Sequence, residues 1–158
     1  EIPKANFIIS CVDNVETRTF INGHKLLNKA GYHQDYKKNY YWLDCGNGKD
    51  FGQVVLSTII DIMQPKKSMF NCIKNLPSVI DLYGDLSNHD TEEAQGIEGC
   101  SMAESLAKQD VFINDEIAIQ AVKIVQQLVR SLRIEYHGTV VNQATNKVIG
   151  IPVPANKK

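Results

Sequence analysis

No charge of one sign dominates this chain: 17 Lys and Arg stand against 18 Asp and Glu over 158 residues, a formal net charge of −1. Bulk electrostatics therefore implies neither nucleic acid nor an anionic membrane as a partner. No apolar run approaches the ~20 residues needed to cross a bilayer, and no signal peptide is visible, so a cytoplasmic location is expected. The four cysteines, Cys11, Cys45, Cys72 and Cys100, stand far apart, and no pair has the Cys-x-x-Cys spacing of a zinc site or redox motif. Cys11 and Cys45 lie in strand-like apolar runs, which favours buried thiols over disulfides. The four histidines form no ligand-spaced cluster. Also missing is a Gly-x-Gly-x-x-Gly after a strand with an acid roughly 20 residues further on, which argues against a nucleotide-binding oxidoreductase half. There is no internal repeat or low-complexity segment, and the composition suits one globular domain or a piece of one. The chain opens with Glu1 shortly before a buried-type strand, the expected look of a fragment boundary.

What is present concentrates near the start. In Phe7-Ile-Ile-Ser-Cys-Val-Asp-Asn-Val-Glu-Thr-Arg-Thr-Phe-Ile-Asn22, an apolar run stops at an acid and an amide and a helix begins. A buried strand running into a helix at a polar carboxyl edge is where open α/β sheets bind ligands. The helix is expected from Asn14 or Val15 to Ala30, with Asp13 as N-cap, Glu16 completing a capping box and Gly31 past the end. Phe20, His24 and Leu27, with Ile21 beside them, form its apolar face.

Residues 39–45 and 51–58 read as strands, with Asn47-Gly48 a hairpin signal in the Gly46–Asp50 connection, a loop also able to face a ligand. Residues 61–100 are irregular, broken by Pro65, Pro77 and the polar run from Ser87. A stretch this long is a lid, a binding loop or disordered. Ser101 and Glu104 form a second capping box, opening a short helix to about Lys108. A long helix follows from about Asp115 to Leu132, with Ile117, Ala121, Ile124, Val125, Leu128 and Leu132 turned to a sheet. Glu135–Asn142 and Lys147–Val153 read as a final hairpin.

The order Asp13-Asn14-x-x-x-Arg18-x-x-x-Asn22 after a hydrophobic strand resembles the second conserved block of the ThiF-like superfamily, the ATP-dependent adenylyltransferases related to ubiquitin-activating enzymes. Asp44-Cys-Gly-Asn-Gly-Lys-Asp-Phe-Gly-Gln53 resembles that family's Gly-x-x-Gly-Gln strand. Cys100-Ser-Met-Ala-Glu-Ser-Leu-Ala-Lys-Gln-Asp-Val-Phe-Ile-Asn114 looks closest to the ThiF-like proteins of the bacterial PRTRC gene system. The resemblance implies an α/β, Rossmann-like ThiF-type fold, of which residues 1–158 are the C-terminal portion without the glycine-rich nucleotide-binding half. It implies ATP and Mg²⁺ as cofactors of the full-length parent, and a small ubiquitin-like or sulfur-carrier-like protein whose C-terminal carboxylate becomes an acyl adenylate. It further implies a homodimer, and a crossover loop over the partner's tail in the irregular region. Many relatives carry zinc on two Cys-x-x-Cys pairs; this sequence departs from that pattern, so no zinc is expected.

Asp13 is the leading candidate for the Mg²⁺-ATP contact, since hard cations choose carboxylate oxygens, although a helix cap is the simpler role for it. Asn14 and Arg18 are candidate nucleotide contacts on one helix face, against the alternative of a solvated or structurally bonded face. Asn22 reads as structural, and Gly48 as part of a tight hairpin. Gly52 and Gln53 are candidates for binding the partner's tail, because glycine admits close backbone approach. Cys100, just before a helix N-terminus, is a candidate nucleophile of the kind some relatives use, weighed against an unreactive thiol. Alone, the fragment is expected to be inactive. The competing reading is a non-catalytic interaction or dimerisation module derived from the same fold.

Overall fold

Alternating apolar residues build a sheet whose central strands are covered on both faces. A computed structural model describes residues 6–27, 40–70, 72–84 and 112–155. In it five strands, β1 (Phe7–Cys11), β2 (Tyr41–Asn47), β3 (Phe51–Thr58), β4 (Tyr136–Asn142) and β5 (Lys147–Pro152), form one sheet in the order β1-β2-β3-β4-β5. β1 and β2 are parallel and joined through helix α1 (Val15–Leu27); the other three pairings are antiparallel. The protein is thus mixed α/β, as expected.

On one face Leu43, Cys45, Val54, Leu56 and Val141 meet Ile113, Ile117, Ala121 and Ile124 of the long helix α3 (Ile113–Ser131). These side chains recur at helical spacing on α3 and at every second position on the strands, so burial selects this register. On the other face Trp42 and Val55 pack with Ile59 and Val79, joined by Ile8 of β1, Ile21 of α1 and Ile80 of the short helix α2 (Val79–Tyr83). The sequence signal for α2 is a capping box: Ser78 Oγ accepts from the Asp81 amide, and the Asp81 carboxylate accepts from the Ser78 amide at 2.7 Å. The helix therefore interrupts the stretch expected to be irregular. Upstream of it the chain folds back on β3, with the Leu76 amide donating to Thr58 Oγ1 at 2.9 Å.

Several local expectations are corrected. Asn14, not Asp13, caps α1: the Thr17 amide donates to Asn14 Oδ1 at 2.8 Å. Phe20 points outward, 55% exposed, while Arg18 and Ile21 face the sheet. Cys45 is buried as expected, but Cys11, at the end of an edge strand that α3 does not cover, is exposed. Gly46 and Asn47 belong to β2, so the hairpin loop is residues 48–50, closed by the Gly48 amide on the Phe51 carbonyl at 2.8 Å. The far end of the first helix, the crossover loop beyond Gly84, the second capping box and Cys100 lie outside the described residues.

Candidate functional site

One end of the sheet collects the chain's polar signals. The carboxyl ends of β1, β2 and β4, the start of β3 and the N-termini of α1 and α3 all lie there, as the register and two bonds require. Asn47 Nδ2 donates to Asn114 Oδ1 at 2.7 Å, tying the end of β2 to the first turn of α3. The Gln143 amide donates to the Asp50 carbonyl at 2.7 Å, holding the two hairpin turns together.

Beneath this edge runs a buried polar chain. Arg18 Nε donates to Asp44 Oδ2 at 3.0 Å, and both residues are buried. Ser10 Oγ donates to Asp44 Oδ1 at 2.7 Å and accepts from Trp42 Nε1 at 2.7 Å. Arg18 Nη2 also donates to the Val12 carbonyl at 2.6 Å and reaches that of Cys45 at 3.5 Å. Burial pushes the Asp44 carboxyl above its usual value, and the Arg18 charge with the bonds from Ser10 and Arg18 draws it partly back. An acid in the middle of Tyr40-Tyr-Trp-Leu-Asp-Cys45 is the readable sign of this network, because a buried carboxylate demands a partner.

Gly46 makes room for it. A Cβ there would lie 2.6 Å from Arg18 Nη2 and 2.6 Å from Gln53 Nε2. Arg18 and Gln53, two of the candidate site residues, are therefore brought together over a bare backbone, with Asp44 below. Asp13 and Asn14 stand just above, exposed, on the two residues after Val12. Gly52 is turned to the opposite face, where a Cβ would meet the Gly46 carbonyl and Ile117 Cδ1, each at 2.8 Å. β3 is paired on both sides, so Gly52 and Gln53 lie on an interior strand.

Among the described residues no three His, Cys, Asp or Glu side chains converge as metal ligands. Magnesium bound with nucleotide needs only one or two carboxylates, the phosphates completing its shell, and exposed Asp13 suits that donor set. Arg18 has its guanidinium engaged by Asp44 and two backbone carbonyls. No helix among the described residues is long and apolar enough to cross a membrane. No protein-family model matches the chain, and no curated protein matches it.

Proposed function

We propose that the chain is the C-terminal portion of a ThiF-like adenylation domain, part of an enzyme that uses ATP and Mg²⁺ to activate the C-terminal carboxylate of a small ubiquitin-like or sulfur-carrier-like protein. The supporting observation is the convergence at one sheet edge of exposed Asp13 and Asn14 with the Arg18–Gly46–Gln53 cluster beneath them. In this reading Asp13 holds the magnesium of Mg²⁺-ATP, which would supply charge neutralisation at the phosphates. Asn14 fixes the first turn of α1, and Arg18 acts as a positioning residue. By gripping the Val12 carbonyl and Asp44 together, Arg18 sets the height of the Asp13 loop above β2. Gln53, beside Gly46, offers its side-chain amide to an incoming extended tail.

The test is ATP–pyrophosphate exchange by the full-length protein that carries this chain, with Mg²⁺ and small candidate partner proteins, beside its Asp13→Ala variant. Exchange that disappears with Asp13→Ala supports the reading, and exchange that survives the substitution removes Asp13 from it. Absence of both exchange and ATP binding in the unsubstituted protein sinks it. In that event the interaction-module reading takes over. Its support is the outer face of α3, where Ile119, Val122 and Val129 are 50%, 66% and 66% exposed. A homodimer through this face is part of that second reading.

A further inference from the structure

Cys11, the last residue of β1, is the register partner of Cys45 on parallel β2. Partners in register point their side chains to the same face of a sheet, about 4.7–4.9 Å apart between strands. That spacing falls within the roughly 4.4–6.8 Å Cα separation of disulfides. Cys11 is exposed and Cys45 is buried, so one sulfur meets solvent while the other waits behind it. On the opposite face the Arg18 guanidinium binds the carbonyls of Val12 and Cys45, clamping the backbone that carries both thiols.

We propose that Cys11 and Cys45 are a redox modification site, a dithiol that a peroxide converts to an intramolecular disulfide. The Cys11 thiolate attacks one peroxide oxygen; an S–O bond forms, the O–O bond breaks, and the departing hydroxide takes a proton to become water. Sulfur loses two electrons and the peroxide gains them. The Cys45 sulfur then attacks the Cys11 sulfenic sulfur, giving up its proton; the S–S bond forms, the S–O bond breaks, and a second water leaves. Cys11 is exposed and Cys45 is buried, so the peroxide meets Cys11 first. The Cβ atoms must draw in to about 3.5–4.5 Å, and Cys11, ending its strand in solvent, is the residue placed to move. The chemistry requires no nucleotide and stands apart from the adenylation reading.

The experiment treats the reduced, intact chain with hydrogen peroxide, blocks remaining thiols with N-ethylmaleimide after denaturation, and maps the peptides by mass. The expected result is a monomer lighter by two hydrogens with a Cys11–Cys45 linked peptide. Cys11→Ser abolishes it, and Cys45→Ala leaves a Cys11 sulfenic acid that dimedone traps. Cys45 recovered fully alkylated while Cys11 carries two oxygens, or bonds to Cys72, Cys100 or a second chain, overturns the proposal. The deciding peptide map is read on the unsubstituted protein, so a variant that fails to fold does not obscure the result.

Discussion

Arg18 on α1 and Asp44 on β2 meet inside the protein with Nε 3.0 Å from Oδ2, and this pair joins the helix to the sheet it crosses. Breaking a buried pair by removing one partner costs about 3–5 kcal/mol, because the other charge is left uncompensated. Arg18→Met is therefore expected to destabilise by that amount, read by chemical denaturation. The loss is also expected to depend on pH. Without the cation, burial acts on Asp44 opposed only by the Ser10 bond and lifts its folded pKa further above the unfolded value. Between those two values the folded state holds more protons than the unfolded one, so stability falls as pH rises through that window. The deficit of Arg18→Met should be smaller near pH 4 than at pH 7; equal deficits would refute this coupling.

His137 carries the opposite sign. It is fully buried, its Nδ1 lies 2.8 Å from the Leu56 carbonyl, and its Nε2 has no hydrogen-bond partner among the described residues. Burial lowers its pKa, with the bond to Leu56 opposing that shift. The unfolded chain then binds the extra proton first as pH drops. Stability is whole above the ordinary histidine value and declines below it, by at most about 1.4 kcal/mol per pH unit. Thermal melts from pH 7.5 to 5 should show the decline, and His137→Asn, which keeps a donor toward Leu56, should flatten it.

Two glycines should respond to alanine in opposite directions. At Gly46 the new methyl collides with Arg18 Nη2 and Gln53 Nε2, and displacing a buried ion pair should cost about 1–3 kcal/mol. At Gly23, in the interior of α1, an added Cβ meets nothing within 4 Å, and alanine should stabilise by about 0.5–1 kcal/mol. Parallel urea titrations compare the two.

Asn14 and Asp13 are adjacent and should separate cleanly. Asn14 Oδ1 accepts the Thr17 amide, so Asn14→Ala should cost about 1 kcal/mol in stability. Asp13 makes no capping contact, and Asp13→Ala should stay within about 0.5 kcal/mol. A loss of pyrophosphate exchange in Asp13→Ala would then reflect chemistry at the site, provided circular dichroism and melting show the fold retained.

Strong local periodicity makes much of the fold legible. The second and third strands, the long helix and the final hairpin all follow from alternation or helical spacing that burial enforces directly, and the bounds of residues 51–58 coincide with β3. Long-range pairing is less visible. The inward face of α1 differs from the expected one because a buried Arg18 reads as a solvent residue until Asp44 is known to lie opposite. The exposure of Cys11 depends on its strand standing at the edge of the described sheet, a fact of topology absent from the local pattern. The order Asp-Asn-x-x-x-Arg falls where β1 gives way to α1. Of the partners that engage Arg18, Asp44 is signalled only as an acid inside an apolar run, and the carbonyls of Val12 and Cys45 carry no sequence signal.

The strand order has a kinetic consequence. β2–β3 and β4–β5 are hairpins with short turns, and such units form in roughly 1–10 μs. The seam between them sets Val54 opposite Thr139, so it closes only after a long excursion of chain returns with α3. Loop-closure entropy must be met before that seam yields any contact energy, which makes it the slow event. α3 lies across β2, β3 and β4 and bridges the joint like a splint. Truncating Ile117 and loosening the β4–β5 turn, which forms before the seam closes, should therefore both slow refolding more than they hasten unfolding, as stopped-flow traces would reveal.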